Sequence, residues 1–346
     1  MYSRNVSLHN PNLVKPKPMF NFLQKIKDSR LDTIIDSLKT GDPKQFKEIE
    51  DQLSEYDTAF LWLLCYPEKR SLVERRYIEE NYKKFHQVLD NRFPKKFALN
   101  GNFESRMWEM ILCDVLSKSG ELIAKKAEGS DFILKGSDGG CVQIEAVASG
   151  EFDDKDMRST RPDYTQNPTS MLIGGIEDFE RFTLLRVINS FSNKAKRVYQ
   201  KNLPLILAIN SSKTIGTVSS DDYVLRRIFF GLGSMTIRQN KDGFSVKGFE
   251  QNPFLSEPNE KPFDVAVFRD AMYQHISGII YTSQNSLGFI PGGSSWLNSG
   301  ITFVPNPMAI YPIKIKFPFF KQILCDEKRY AEIDAEQEFE SSITLN

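Results

Sequence analysis

Two carboxylates in the middle third of the chain, Asp131 and Glu145, occupy positions from which they could act together on a cation. Asp131 stands just before a strand-like segment, 132–134, and Glu145 lies inside a second one, Cys141–Ala148. The residues between them, 135–140 (KGSDGG), are strong turn formers and predict a hairpin that brings the two acids together. Converging carboxylates repel each other unless a cation lies between them, so the sequence predicts a site for Mg²⁺ or Mn²⁺.

Glu145 is the more informative of the two acids because it interrupts a strand pattern. Gln143 and Val147 share its face of the strand, and the residues between them, which are apolar, form the other face. A carboxylate in a half-buried strand needs a partner. That partner is either a metal ion or a basic side chain, and the pattern alone leaves both open.

A helix predicted over 103–119 carries a third acid of interest. Its buried stripe is formed by Phe103, Met107, Ile111, Leu112 and Val115. Glu104 falls near the middle of this stripe, whereas Glu109 falls well off it. Glu104 is therefore expected either to reach a polar cluster in the core or to lie at the first turn, where the helix dipole favours acids and solvent is accessible.

A second amphipathic helix, predicted over 179–201, offers a basic side chain. Its buried stripe comprises Leu184, Val187, Ile188, Phe191, Ala195 and Val198. Lys194 borders this stripe, with Arg186 and Tyr199 on its two flanks. A long side chain at that edge either reaches over the sheet to the acids or covers apolar surface with its methylene stem. Lys125 and Lys126 are further candidates.

These elements in this order resemble the core of the restriction-endonuclease-like PD-(D/E)xK nucleases over about residues 100–210. The shared features are an acid on a helix, Asp131 at a strand start, Glu145 in mid-strand after a hairpin, and a following helix. The resemblance implies an α/β fold, an α/β/α core with a mixed central sheet, preceded by an N-terminal helical region. It also implies Mg²⁺-dependent (or Mn²⁺-dependent) endonuclease activity, with Asp131 and Glu145 as metal ligands and Glu104 assisting.

The chain departs from that family's motif at Val147, where the pattern has a lysine. Two explanations for the missing lysine remain open. Gln143-Ile144-Glu145 is itself the motif, with Glu145 in the lysine's place, or a lysine arrives from elsewhere, as in family members where it has moved to the following helix. Lys194 is the candidate for that second route. The resemblance thus implies catalytic roles for Asp131, Glu145, Gln143, Lys194 and Glu104, and substrate-binding roles for Arg186, Tyr199 and Lys126.

The composition of the chain argues against several other classes of protein. The chain has 346 residues with 45 basic and 45 acidic side chains, which argues against coating nucleic acid by bulk charge. The four cysteines are widely spaced without a CxxC pair, so a structural zinc site is not expected and a reducing, cytoplasmic compartment is. No apolar run reaches about 18 residues, so no membrane partner is expected.

The chain divides by pattern into a flexible arm (1–18), a helical N-terminal region (19–98), the restriction-endonuclease-like α/β domain (99–325) and an acidic polar tail (326–346). The expected partner is nucleic acid, with DNA preferred over RNA; a homodimer is left open. Two other functions remain: a catalytically inactive nucleic-acid- or protein-binding module on the same fold, and an unrelated α/β protein in which Glu145 is only salt-bridged.

Overall fold

A computed structural model of the chain describes residues 22, 26, 30–31, 43–65, 69–124, 129–149, 175–197, 199, 202–212, 221–241, 243–252, 254–255, 263–286, 300–317 and 320–322. Several sequence predictions fall outside these residues, among them the arm at 1–18, Lys125, Lys126, Val198 and the tail at 326–346.

The described helices and strands alternate in a mixed α/β pattern. The helices are α1 Pro43–Gln52, α2 Thr58–Cys65, α3 Lys69–Phe85, α4 Phe93–Ala98, α5 Phe103–Leu116, α6 Gly175–Ala195 and α7 Asp221–Leu225. The strands are β1 Gly120–Ala124, β2 Phe132–Gly136, β3 Cys141–Ala148, β4 Leu205–Asn210, β5 Leu232–Asn240, β6 Gly243–Gln251, β7 Phe254–Leu255, β8 Phe263–Asp264, β9 Gly278–Thr282, β10 Thr302–Pro305 and β11 Lys321–Gln322.

Within the described residues, the main sheet has seven strands in the order β1-β2-β3-β4-β9-β10-β11. Strands β1, β2 and β3 pair antiparallel, β3, β4 and β9 pair parallel, β10 is antiparallel to β9, and β11 is parallel to β10. The mixed sheet with helices that the sequence predicts is therefore confirmed. Strands β5 and β6 form a separate antiparallel pair, as do β7 and β8.

The β2–β3 hairpin forms as the turn residues predict. Lys135 pairs with Cys141, and the Gly136 N–H donates to the Gly140 carbonyl at 2.8 Å. Gly139 adopts φ +82°, a left-handed conformation that glycine tolerates best. The Asp138 carboxylate accepts the Gly140 N–H at 3.0 Å. The turn thus fixes the register that places Phe132 opposite Ile144, two strand positions that flank the paired acids.

Each face of the sheet is covered by its own apolar core. One core joins the N-terminal helices and α5 to alternate residues of the sheet, including Ile144, Ile206 and Ile280. The other joins α6 and the 221–230 segment to the opposite face, including Leu207 and Ile279. Because both faces are covered, β4 is buried along its whole length, as its continuous apolar sequence predicts.

Helix α5 is buried nearly all round, which the single predicted stripe did not anticipate. Residues 107–113 are all buried. The Trp108 indole N–H donates to the Ala208 carbonyl of β4 at 2.9 Å, so this side of the helix meets the sheet. The N-terminal helices cover other sides of α5. The prediction that Glu109 lies off the buried surface is wrong, because a helix packed between two layers has more than one buried side.

Helix α6 confirms its predicted stripe. Leu184, Val187, Ile188, Phe191 and Ala195 are all buried. The helix spans Gly175–Ala195, so it begins and ends earlier than the predicted 179–201. Val198, the last predicted stripe residue, lies outside the described residues.

Strands β9 and β10 are each shorter than the largely apolar stretch of sequence that contains them. The run 275–282 forms a strand only from Gly278, and 301–313 forms one only over Thr302–Pro305. His275 therefore precedes its strand. The Asn306 side-chain amide donates to the Ile276 carbonyl at 2.8 Å, beside the backbone bond from the Asn306 N–H to the Ser277 carbonyl at 3.0 Å. Within the described residues, no helix is long and apolar enough to cross a membrane.

We expect Trp108→Phe to lower the free energy of unfolding by about 1–3 kcal/mol, because it removes a buried donor from the Ala208 carbonyl and shrinks a fully buried ring. Urea denaturation followed by circular dichroism measures this change. Trp62→Phe on α2, at a half-buried position, is the matched control. A loss at position 108 no larger than that at 62 would contradict the sandwiched packing of α5.

Candidate functional site

Glu145 lies in the middle of β3 with its side chain only 3% exposed. Its Oε1 atom contacts the Lys194 Nζ atom of α6 at 2.5 Å and the Arg197 Nη1 atom at 3.5 Å. Lys194 is itself 17% exposed. The partner that a mid-strand carboxylate requires is thus a lysine from the helix over the same face. Of the two positions left open for Lys194, the one that reaches the acids is observed, at Glu145.

Asp131 lies at the start of β2, beside Glu145. Its Oδ2 atom accepts the Ala146 N–H of β3 at 2.9 Å, so the side chain extends the pairing of the two strands where the backbone of β2 has ended. Burial raises the pKa of Glu145, and the charge of Asp131 raises that pKa further, while Lys194 and Arg197 lower it. The convergence of Asp131 and Glu145 that the hairpin predicts is confirmed.

Glu109 of α5 is the third carboxylate near this pair. It is 8% exposed, and its Oε2 atom accepts from the Arg106 Nη1 atom at 2.7 Å. Burial raises the pKa of Glu109 to about 7; Arg106 opposes the shift, the Asp131 charge adds to it, and Lys194 opposes it. Asp131 therefore acts electrostatically on both Glu109 and Glu145. We call these three carboxylates, from α5, β2 and β3, the acid group.

Glu104 lies in a different polar network. Its Oε1 atom accepts from the Ser286 N–H at 2.9 Å, the Ser212 hydroxyl at 2.7 Å and the Asn210 amide at 3.5 Å. Of the two positions left open for Glu104, the buried polar cluster is the one observed. The predicted trio of Glu104 with Asp131 and Glu145 is not formed. These donors satisfy the buried carboxylate beyond the end of β4, so it needs no metal ion.

The donor atoms of the acid group are not already arranged as a coordination sphere. Among the described residues, no set of three or more acidic, histidine or cysteine side chains is placed to hold a metal ion. In this arrangement the Lys194 ammonium supplies the positive charge at Glu145. The acid group is thus balanced by basic side chains, with Arg106 at Glu109 and Lys194 and Arg197 at Glu145.

The remaining predicted residues take other positions. The Tyr199 hydroxyl donates to the Lys194 carbonyl at 2.9 Å; burial and then the Glu145 charge raise its pKa, so it stays a phenol. The buried Gln143 amide donates to the Leu203 carbonyl at 3.4 Å. Arg186 lies half-buried on α6, about two turns before Lys194. Lys126 lies outside the described residues.

Sequence reasoning missed Glu109, Arg106 and Arg197. One signal for the first two was present, because Arg106 and Glu109 are three residues apart on a helix and so can form an ion pair. That spacing alone does not distinguish a surface pair from a buried one. Val147, which replaces the motif lysine, packs partly buried against the core on the α6 side.

We found no match to this chain among protein-family models, curated proteins or solved structures. The functional argument therefore depends on the geometry and charge of the acid group.

We expect Glu109→Gln to stabilise the metal-free protein at pH 8 and to leave its stability unchanged near pH 4. The folded-state pKa of about 7 exceeds the ordinary value of 4.5, so folding favours neutral Glu109. That contribution is fully present below about pH 4.5 and is lost as pH rises through 7. The gain above pH 7 is on the order of 3 kcal/mol at most, from a shift of about 2.5 pKa units.

Urea denaturation in chelator from pH 4 to pH 8.5 measures this difference. Glu121→Gln on the exposed edge of β1 is the control and should give a pH-independent difference. If Glu109→Gln destabilises the protein most at pH 8, the ionised form of Glu109 is favoured by the fold and the assignment of its environment is wrong.

Proposed function

We propose that this chain is a metal-dependent nuclease that hydrolyses phosphodiester bonds, with the acid group and Lys194 as its active site. The observation that carries the proposal is the combination of two buried carboxylates, Glu109 and Glu145, with the half-buried Asp131 beside β2. A lysine directly contacts one of them, Glu145. Carboxylates around a divalent cation next to a lysine are suited to charge development on a phosphate. DNA is the preferred substrate class, as in the resemblance to PD-(D/E)xK nucleases.

The donor chemistry of the acid group fits Mg²⁺ or Mn²⁺. Both ions prefer carboxylate oxygens, and the acid group supplies three carboxylates. The raised pKa values of Glu109 and Glu145 have burial as their first cause and the Asp131 charge as a further one, and a divalent cation would relieve both. Because Lys194 now holds Glu145, metal binding requires this ion pair to loosen. Asp131 and Glu145 would be the ligands.

When bound, the metal ion would lower the pKa of a coordinated water and neutralise charge on the phosphate. Glu109 would take the proton at Oε1, the oxygen that Arg106 does not contact, and its pKa of about 7 suits a general base. Lys194 would turn its ammonium from Glu145 to a non-bridging phosphate oxygen. In this assignment Lys194 performs the role that the family motif gives to the lysine missing at Val147.

The first prediction of this proposal concerns metal binding without substrate. We expect Mn²⁺ or Mg²⁺ to raise the melting temperature, more at pH 8 than at pH 6, because protons compete with the cation for its ligand Glu145. Protons also neutralise the neighbouring Glu109, whose negative charge would attract the cation. At a metal concentration of 100 Kd the stabilisation is about 2.7 kcal/mol. Asp131→Asn should remove the shift and Glu104→Gln should retain it. If Glu104→Gln abolishes the metal-induced rise in melting temperature and Asp131→Asn retains it, the metal site lies at Glu104 and not at the acid group.

The second prediction concerns cleavage. In Mg²⁺, we expect the wild-type chain to cut single- or double-stranded DNA or RNA. Asp131→Asn and Glu145→Gln should each lower the rate at least about a thousandfold, and Lys194→Ala about a hundredfold, because each removes charge stabilisation. Gel assays with labelled substrates measure these rates, with Glu121→Gln as the exposed acidic control.

The same assay distinguishes the alternative of an inactive binding module. That alternative is favoured by one observation, the closed Lys194–Glu145 ion pair. Binding of nucleic acid in Ca²⁺, with no cutting in Mg²⁺ or Mn²⁺, would support the inactive module. Cutting that survives both Asp131→Asn and Glu145→Gln would refute the active site proposed above.

A further inference from the structure

The end of α6 has carbonyl groups that the helix itself does not satisfy. The last carbonyls of any α-helix lack intrahelical donors. In α6, which ends at Ala195, two of these carbonyls accept from side chains outside the helix. The Tyr199 hydroxyl donates to the Lys194 carbonyl at 2.9 Å, and the His275 Nε2 atom lies 2.9 Å from the Ala195 carbonyl.

His275 comes from the other half of the domain, 80 residues away in sequence. Its Nδ1 atom lies 3.0 Å from the Met272 carbonyl, so both ring nitrogens contact carbonyl oxygens. A carbonyl only accepts, and a neutral imidazole has one N–H; both contacts are hydrogen bonds only when the ring is an imidazolium.

The carbonyls that Tyr199 and His275 hold belong to Lys194 and its neighbour. The Lys194 carbonyl also accepts the Arg197 N–H at 3.0 Å, so three donors fix this turn of the chain. The Lys194 side chain leaves the same turn and contacts Glu145 at its far end. Any rotation of the turn would therefore displace the ammonium group from the acid group.

We infer that Tyr199 and His275 are positioning residues that cap the end of α6 and thereby set the place of the Lys194 ammonium. Neither side chain contacts the acid group through a hydrogen bond of its own in the described structure. The inference rests on the proposed function for the catalytic use of Lys194. It replaces the substrate-binding role expected for Tyr199, since the hydroxyl is engaged with the backbone.

The capping role predicts a loss in kcat without a change in KM. Tyr199→Phe removes one hydroxyl, and His275→Leu removes the imidazole ring and its contacts with both carbonyls. A misplacement of about 1 Å in a catalytic group costs up to about a hundredfold in rate, so we expect each variant to lower kcat by about ten- to a hundredfold. His275→Gln, which keeps one N–H donor for the Ala195 carbonyl, should recover part of the loss. Steady-state kinetics on a labelled duplex in Mg²⁺ measures both constants.

The deciding experiment places the same changes in a Lys194→Ala background. Residues that act only through Lys194 have no further effect once its ammonium is gone, so Tyr199→Phe and His275→Leu should then be silent. A direct substrate contact or a general loss of folding would still lower the rate. Tyr311→Phe is the matched control, because it removes a hydroxyl that donates to the Asn202 side chain at 2.8 Å at an exposed site.

A second measurement keeps this inference separate from the nuclease proposal. Amide hydrogen exchange across residues 190–197 should be faster in Tyr199→Phe and His275→Leu than in the wild type or Tyr311→Phe. Wild-type protein that cuts no nucleic acid would overturn the proposed function. The hydrogen-exchange data alone would then test whether Tyr199 and His275 cap the end of α6. Unchanged exchange in both variants, or losses of kcat that persist in the Lys194→Ala background, would overturn the positioning role.

Discussion

The charge of Glu145 is the constraint on which the site depends. A carboxylate on a strand whose two faces are both covered by helices has little access to water, and burying an unpaired charge is costly. The fold meets that cost with Lys194 and Arg197, two basic side chains at the end of one helix. The position of α6 over β3 is thus fixed by charge as well as by its apolar stripe, and breaking the pair on one side would leave a buried ion unbalanced.

The covering of both faces of the sheet also explains the third carboxylate. Helix α5 lies between the N-terminal helices and the sheet, so it has little solvent-facing surface on which to place polar residues. Glu109 is therefore buried and needs Arg106 from the preceding turn. The two acids that sequence patterns place at a hairpin become a group of three only through this packing, which is a tertiary effect.

The contrast between Glu145 and Glu104 shows which parts of the site could be predicted from the sequence. The hairpin and the strand alternation are local, so the sequence correctly predicted that Asp131 and Glu145 lie together. For Lys194 the sequence left two positions open, and the contact with Glu145 is the one observed. Glu104 and Glu109 lie on the same helix, α5, and differ in which neighbouring layer their side of the helix contacts. Helical periodicity identifies one buried stripe, but it cannot tell which of several buried sides faces the acids. The partners of Glu104, such as Ser286, are 182 residues distant and have no local signature.

The balance of charge connects the observed ion pairs to the proposed chemistry. Glu109, Asp131 and Glu145 carry at most three negative charges, and three basic side chains contact them: Arg106, Lys194 and Arg197. When all three carboxylates are ionised, these basic side chains balance their charge. Under the proposed function, a divalent cation supplies positive charge among the carboxylates, and Lys194 becomes free to turn to a phosphate. The ion pair is then a resting position for the catalytic lysine, and a fixed helix end limits its movement to the side chain. Under this proposal, the lysine can lie on a helix because only its side chain has to move. The position two residues after Glu145 is occupied by Val147, which packs against the core.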